Sequence, residues 1–220
     1  MSTVALVAAC GFNAEEFQRL DALDTFDQVF AVDAGFAALA DIGRAPDVAI
    51  GDFDSLGYVP KCKRVVRYPA HKDKSDLELA LDRAQTRHFD EVYVFGALGG
   101  RLDHTVANMQ LFARYAEAEM YLTAIADTYA LHVLVGPDAF DLPPYRKGVV
   151  SVFSATPESH GVLERGMEYS LDDETLTNRT SRGLSNELCG REAAVAVEEG
   201  TLLVFYPLSD AAGAEDESDV

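Results

Sequence analysis

The chain has 220 residues, enough to bury a substantial core in one large domain or two smaller ones. Its composition, 48% hydrophobic and 25% charged, is typical of a globular protein and excludes wholesale disorder. Lysine and arginine number 18 against 37 aspartates and glutamates, a net charge of −19. We therefore expect no binding to nucleic acid or to an anionic membrane through a basic surface.

The first apolar run and the cysteines indicate in which cellular compartment the protein is expected. Residues 4–10 are too few to span a membrane and lack the positively charged start of a signal peptide. The cysteines, Cys10, Cys62 and Cys189, are odd in number, widely spaced and without a CxxC pair. This usage favours neither a disulfide framework nor a zinc site. We expect a cytoplasmic protein whose first apolar run is a buried strand.

Strand-like and helix-like segments alternate through the first two-thirds of the chain. The predicted strands are residues 4–9, 28–32, 48–50, 64–68, 91–95, 120–123 and 130–135. Helices are predicted after Asn13, over 36–42, from Ser75 to about residue 87, and over 103–115. Asn13 with Glu16 and Ser75 with Glu78 form capping-box patterns. This alternation predicts an α/β fold with a mostly parallel sheet flanked by helices.

The pattern changes near residue 136. Residues 137–147 contain two consecutive prolines and favour a linker. Short β-like runs follow at 149–153, 161–163, 168–171, 193–197 and 201–206, and residues 198–200 resemble a hairpin turn between the last two. The sequence therefore predicts an α/β domain over 1–136, a small all-β domain over 148–208 and an acidic disordered tail over 209–220.

Polar side chains follow several of the predicted strands, where open parallel sheets bind ligands. If the strands are neighbours, five carboxylates converge there: Asp52, Asp54, Asp73, Asp76 and Asp103. Their repulsion is relieved by a divalent cation, and Mg²⁺ prefers oxygen ligands combined with substrate phosphates. The cluster therefore predicts a metal-assisted reaction.

Cationic and glycine residues stand beside these carboxylates. Lys72 and Arg101 are candidates for binding phosphate, and Gly99 and Gly100 allow backbone N–H groups to approach an anion. Together these features predict phosphoryl transfer with a nucleotide. Each has a structural alternative, since residues 51–55 are typical of a turn and the glycine segment matches neither the P-loop nor the dinucleotide fingerprint.

Several motifs occur in an order that resembles the thiamine pyrophosphokinase (thiamine diphosphokinase) family. They are Asp-Ala-Gly at 33–35, Gly-Asp-Phe-Asp-Ser at 51–55, Lys-Asp-Lys-Ser-Asp at 72–76, and Gly-Gly-Arg-Leu-Asp-His at 99–104 followed by Asn108. Residues 166–171, 183–187 and 200–202 extend the resemblance, which covers nearly the whole chain to about residue 207.

The resemblance implies a Rossmann-like α/β ATP-binding domain followed by a β-sandwich thiamine-binding domain. It implies a homodimer in which thiamine lies between the first domain of one subunit and the second domain of the other. The implied reaction transfers a diphosphoryl group from ATP to the hydroxyl of thiamine and gives thiamine diphosphate and AMP, with Mg²⁺.

The family's functional residues carry over by position. The metal ligands implied are Asp52, Asp54, Asp73, Asp76 and Asp103. The catalytic residues implied are Asp54, Asp76, Asp103, Lys72 and Arg101. ATP contacts are implied for Asp33, Gly35, Asp52, Lys72, Gly99, Gly100, Arg101 and Asn108. Thiamine contacts are implied for Tyr169, Ser185 and Asn186, where an aromatic face suits a cationic thiazolium ring.

Two other functions stay open. A related diphosphokinase would act on another alcohol, of the hydroxymethylpterin type; the motifs at Tyr169, Ser185 and Asn186 argue against it. A non-catalytic thiamine or nucleotide sensor would not need the intact carboxylates and Arg101. Without the resemblance, Tyr169 fits a buried aromatic of a core strand equally well.

Overall fold

A computed structural model describes residues 1–210, and the predicted tail falls outside this range from residue 211 onward. The protein has a mixed α/β fold that divides into two compact units, Met1–Asp127 and a second unit that begins at Thr128. No helix among residues 1–210 is both long and apolar enough to cross a lipid bilayer.

The first unit is a sheet of parallel strands with four helices. The strands are β1 (Thr3–Val7), β2 (Gln28–Val32), β3 (Val48–Gly51), β4 (Val65–Arg67), β5 (Glu91–Phe95) and β6 (Tyr121–Ile125). The helices are α1 (Ala14–Asp21), α2 (Gly35–Asp41), α3 (Asp76–Thr86) and α4 (Leu102–Ala116). The strands lie in the order β6-β5-β1-β2-β3-β4, and every neighbouring pair is parallel.

Burial and capping explain these elements. All five residues of β1 are buried, as expected for a central strand covered on both faces. The Asn13 side chain accepts a hydrogen bond from Glu16 N at 2.9 Å, and Ser75 Oγ accepts one from Glu78 N at 3.1 Å. Each side chain satisfies a backbone donor of the first helical turn that otherwise lacks a partner. The predicted starts of α1 and α3 are thereby confirmed.

The second unit is built from antiparallel strands. They are β7 (Tyr129–Val135), β8 (Asp138–Asp141), β9 (Val149–Ser154), β10 (Glu158–Arg165), β11 (Leu171–Thr177), β12 (Asn186–Glu187), β13 (Ala194–Val197) and β14 (Thr201–Pro207). One set lies in the order β12-β9-β14-β7 and the other in the order β11-β10-β13-β8. Valine side chains from both sets share one core: Val150, Val152, Val162, Val195, Val197 and Val204.

Two strands of the second unit differ from the sequence-based expectation, β7 in the unit to which it belongs and β8 in being a strand at all. The segment of β7 was expected to end the first domain, but it pairs with β14 along seven residues of the second unit. The segment of β8 was expected in a linker, but it pairs with β13. Its sequence, Asp-Ala-Phe-Asp, has too few apolar residues to indicate a strand. Both pairings depend on partners more than fifty residues away, which a local pattern does not reveal.

The predicted hairpin between the last two strands is wrong. β13 pairs with β8 and β10, whereas β14 pairs with β7 and β9, so the turn carries the chain from one set of strands to the other. Gly200 enables this passage, with a φ of +102° and a position where a Cβ would lie 2.6 Å from Ser159 Oγ.

Candidate active site

Four loops that follow parallel strands carry the predicted site residues of the first unit. They begin after β2, β3, β4 and β5, with Asp33, Asp52, Lys72 and Gly99 as examples. Since these strands run in one direction, their carboxyl ends lie on one edge of the sheet. β2, β3 and β4 are adjacent, while β1 lies between β2 and β5. The fold thus brings the four loops to a common edge.

A cleft of about 440 Å³ opens at this edge. The predicted residues that line it are Asp33, Asp76, Gly99, Arg101 and Asn108. A second hollow of about 370 Å³ is lined by Asp52 and Asp54 together with residues 67–70. Most predicted site residues of this unit therefore border one of two openings.

Sequence patterns missed part of the cleft lining. Ala8, Ala9 and Cys10 line it directly after β1, and Ser55 and Ser75 line it from two other loops. The sequence pattern predicts strand at residues 8 and 9 and only a helix cap at Ser75. Had β1 been identified as a central strand, the position of residues 8–10 at its carboxyl end would have indicated a ligand site.

Lys72 lies between two carboxylates at this edge. Its Nζ is 2.7 Å from Asp52 Oδ2 and 3.2 Å from Asp76 Oδ1. The three side chains are 14%, 17% and 20% exposed, so water screens these ion pairs only in part. One cation between two carboxylates leaves a local excess of negative charge.

The pKa values of the three groups respond to this arrangement. The Lys72 hydrogen bond, followed by one from Asp54 N, holds the pKa of Asp52 below its usual range. Burial opposes the charged form of Lys72, but hydrogen bonds to Asp52 and Asp76 outweigh it and raise the pKa of Lys72. Burial raises the pKa of Asp76 even though Lys72 partly offsets that effect. Lys72 is therefore a stable cation at neutral pH.

One carboxylate oxygen at the cleft, Oδ1 of Asp33, is buried and has no hydrogen-bond donor among residues 1–210. Oδ1 of Asp76 is also buried, and its contact is Lys72 Nζ at 3.2 Å. Buried carboxylate oxygens without donors are costly unless a cation joins them. These hard oxygen ligands fit Mg²⁺, which usually completes its shell with water and phosphate oxygens. Within the described range, no three His, Cys, Asp or Glu side chains already gather into a metal cluster.

The loop after β3 combines a turn with a close approach of two backbones. Asp54 N donates to Asp52 Oδ1 at 3.1 Å, which is the local turn that the sequence favours. A Cβ on Gly51 would lie 3.1 Å from the Cα of Asp33, which itself adopts a φ of +46°. The residues that form this turn therefore also bring the loop after β3 close to Asp33.

The glycine segment after β5 forms an exposed start to α4. Gly99 and Gly100 have φ values of +97° and +65° and are exposed, and the Thr105 hydroxyl lies 3.2 Å from Gly99 N. The Arg101 guanidinium binds Asp103 at 2.6 Å, and this hydrogen bond lowers the pKa of Asp103. Gly100 passes close to Cys10, since a Cβ there would lie 2.3 Å from its sulfur.

Gly96 offers a test of how tightly this segment packs. It has a φ of +67°, and a Cβ would lie 2.2 Å from Ala8 O, a backbone atom that cannot move aside cheaply. Gly57 has a similar φ of +70° with nothing within 4 Å. Urea unfolding should show a loss of about 1 kcal/mol for Gly57→Ala and at least about 3 kcal/mol for Gly96→Ala. Equal losses would contradict the close approach of β1 and β5.

Several other predicted site residues lie outside the ion pairs that Lys72 forms with Asp52 and Asp76, a set called here the Lys72 group. Asp54 and Asp73 are exposed, and Asp103 pairs with Arg101 rather than with Lys72. Asn108 donates to Ala97 O at 2.7 Å and so supports the glycine segment. Gly35 is buried, where a Cβ would lie 1.8 Å from Val7 O, so its observed contact is with β1.

The second unit holds the remaining predicted residues near β12. Tyr169 lies outside the strands with 68% of its surface exposed, so the alternative of a core-strand aromatic is wrong. Ser185 adopts a φ of +60°, and its N–H donates to Ser151 Oγ at 3.0 Å. Asn186 is buried and hydrogen-bonded to the backbone of Tyr169.

Comparison with known proteins gives consistent results. Residues 21–124 match the family model described as the catalytic domain of thiamin pyrophosphokinase. A curated thiamine pyrophosphokinase from Bacillus subtilis (strain 168) is 29% identical over 182 residues, which cover 79% of this chain and 84% of that protein.

Solved structures agree with the sequence matches. The crystal structure of thiamine pyrophosphokinase from Bacillus subtilis superposes with a TM-score of 0.78 at 26% identity, covering 96% of this chain and 100% of that one. Thiamin pyrophosphokinase from Geobacillus thermodenitrificans gives a TM-score of 0.75 at 27% identity, covering 96% and 99%. The family model, the curated relative and the solved structures agree, and all three indicate similarity to the thiamine pyrophosphokinase family.

Proposed function

We propose that this protein transfers a diphosphoryl group from ATP to the hydroxyl of thiamine, giving thiamine diphosphate and AMP. Its relatives are named as thiamine pyrophosphokinases. The observation that carries the proposal is Lys72, held between Asp52 and Asp76, of which Asp76 lines the same cleft as the glycine segment. A fixed cation beside hard oxygen ligands suits transfer of a highly charged phosphoryl group.

ATP occupies the cleft of the first unit in this proposal. Gly99 and Gly100 present exposed backbone at the start of α4, where N–H groups and the helix dipole attract phosphate. Arg101 turns from Asp103 toward the polyphosphate. Asp33 and Asn108 line the same cleft and contact the nucleotide, and Gly35 lets α2 pack close enough to keep Asp33 in place.

The proposal includes Mg²⁺, held by Asp52 and Asp76 with Asp54, Asp73 and Asp103 as further ligands. The position of Asp76 beside Asp52, with Lys72 between them, supports this assignment, and Asp33 offers a buried oxygen without a hydrogen-bond donor among residues 1–210. When bound, Mg²⁺ neutralises polyphosphate charge and helps to align the phosphorus for attack. Lys72 remains protonated, because its pKa is raised, and stabilises charge that develops on the AMP leaving group.

In this proposal a Rossmann-like domain binds ATP and a β-sandwich domain binds thiamine. Tyr169 and Ser185 contact thiamine, and the exposed ring of Tyr169 suits a cation–π contact with the thiazolium. The proposal also includes a cytoplasmic location, and the wide spacing of the three cysteines favours that location.

Product analysis tests the reaction itself. Purified protein is incubated with ATP, Mg²⁺ and thiamine, and the products are resolved by mass spectrometry. We expect AMP and thiamine diphosphate in equal amounts. ADP with thiamine monophosphate would overturn the one-step transfer. A product only with a pterin alcohol would favour the alternative diphosphokinase, and ligand binding without any product would favour a sensor.

Subunit mixing tests the proposed homodimer. If one subunit's first unit and its partner's second unit complete each site, Asp76→Asn and Tyr169→Ala should complement each other when co-expressed. Random pairing makes half of the dimers mixed, each with one intact site, so activity at low thiamine should reach about a quarter of wild type. Activity no higher than the average of the two separate variants would contradict a shared site.

A further inference from the structure

The side-chain amide of Asn186 uses its full hydrogen-bonding capacity within the protein. Its Oδ1 accepts from Tyr169 N at 3.0 Å and from Glu187 N at 2.9 Å. Its Nδ2 donates to Tyr169 O at 2.8 Å and to Glu164 Oε2 at 2.6 Å. Two backbone N–H donors can face only the amide oxygen, so the network itself fixes the orientation of the amide. Asn186 therefore holds Tyr169 rather than offering a free polar atom to a ligand.

Glu164 is a buried carboxyl group in an apolar setting. It lies in β10 with 2% of its surface exposed, opposite Val195 of β13 and Leu171 of β11. Burial raises the pKa of Glu164, which the hydrogen bond from Asn186 partly offsets. Oε1 has no hydrogen-bond partner among residues 1–210. A leucine would suit this strand position better, so the carboxyl group is explained by its contact with Asn186.

Tyr169 combines a fixed backbone with an exposed ring. Asn186 binds both its N–H and its carbonyl, and the neighbouring Glu168 N donates to Glu187 O at 2.9 Å. The ring itself is 68% exposed. Because the backbone of Tyr169 is already fixed, placing its ring against a flat cationic ligand requires only the side-chain torsions to be ordered.

We propose that Glu164 is a positioning residue that acts through Asn186 to fix the backbone of Tyr169 and so presents its ring to thiamine. This inference rests on the proposed function, in which Tyr169 contacts the substrate. Glu164 itself touches no substrate. Removing its carboxyl group leaves one Nδ2 hydrogen of Asn186 without an acceptor, which loosens the amide from Tyr169.

Steady-state kinetics of the full chain test the proposal. Glu164→Leu should raise the KM for thiamine about tenfold or more, with kcat and the KM for ATP within about twofold of wild type. Glu164→Gln keeps an oxygen that accepts from Asn186, so its KM for thiamine should stay within about threefold. Glu158→Leu, which removes an exposed glutamate from the same strand, is the matched control and should leave all constants unchanged. If Glu164→Leu fails to fold, Glu164→Thr replaces it, since threonine suits a strand but cannot reach Asn186.

A double-mutant cycle separates positioning from a general structural effect. If Glu164 acts through the Tyr169 ring, adding Glu164→Leu to Tyr169→Ala should raise the KM for thiamine by less than about twofold beyond the single variant. A full multiplication of the two effects would overturn the proposal. So would an unchanged KM for thiamine in folded Glu164→Leu, or an equal rise in the KM for ATP.

A fluorescence measurement needs no enzymatic activity. The chain contains no tryptophan, so Tyr169→Trp creates a single indole reporter at the anchored position. Adding Glu164→Leu should lower its steady-state anisotropy, while Glu164→Gln should not. Equal anisotropy in all three proteins would overturn the inference. Lack of thiamine diphosphate formation by the wild-type chain would overturn the proposed function instead, leaving the fluorescence result to decide the role of Glu164.

Discussion

Asp76→Asn should lower kcat about a thousandfold while the protein still folds. Asp76 is the first residue of α3, and its side chain is 20% exposed and contacts Lys72 Nζ through a buried oxygen. Asparagine has the same shape but cannot bring negative charge to a metal ion or orient Lys72 as an ion pair. The helix start should lose only about 0.5 kcal/mol, because Ser75 remains as the cap.

Initial rates of AMP formation and a thermal melt check this prediction together. Asp41→Asn is the control, because Asp41 is exposed at the end of α2 and lines neither of the two openings. We expect the control to keep both activity and melting temperature. Turnover by Asp76→Asn within tenfold of wild type would remove Asp76 from the catalytic group.

Lys72→Met should have the second large effect, and it should affect both turnover and stability. Loss of the ammonium group leaves Asp52 and Asp76 facing each other without their shared cation. Removing one partner from a largely buried ion pair costs several kcal/mol, and partial solvent screening reduces this to about 2 kcal/mol here. The rate should fall about a thousandfold, because charge on the leaving group loses its stabilising cation.

Lys74→Met is the matched control for this variant. Lys74 lies two residues away and pairs with Asp82 and Glu78, but its side chain is 41% exposed, so its removal should change stability little and spare turnover. Adding Asp52→Asn to Lys72→Met should recover stability without recovering activity. Urea unfolding and AMP formation measure the two effects; recovery of both together would show that Lys72 serves the fold alone.

Much of the structure of the first unit can be predicted from short-range sequence patterns. The caps at Asn13 and Ser75, the alternation of elements and the position of polar loops after strands could all be inferred from neighbours in the chain. Asp103 shows the limit of that approach: its ion pair with Arg101, two residues earlier, separates it from the Lys72 group. Spacing indicates which residues lie at the edge but not which of them pair with one another.

The second unit was less predictable because its key contacts are distant in sequence. β11 has a single buried residue, Leu176, and therefore lacks the alternation that indicates a strand. The separation of β13 from β14 depends on strands that lie far earlier in the chain. Asn186 was inferred to contact the substrate, but Glu164 and Tyr169, 22 and 17 residues away, occupy its amide.

The central position of β1 has a consequence for how the protein is made. One edge of this strand pairs with β2. The other edge pairs with β5, whose residues lie 88 positions later in the chain, so this pairing cannot form until β5 has been synthesised. At synthesis rates of roughly 5–20 residues per second, the second edge stays open for several seconds after β2 emerges. The unpaired edge of a strand whose five residues are all buried in the folded protein is a template for aggregation. The nascent chain therefore depends on chaperones most strongly before residue 95 leaves the ribosome, and slowing translation between β2 and β5 should lower the yield of soluble protein.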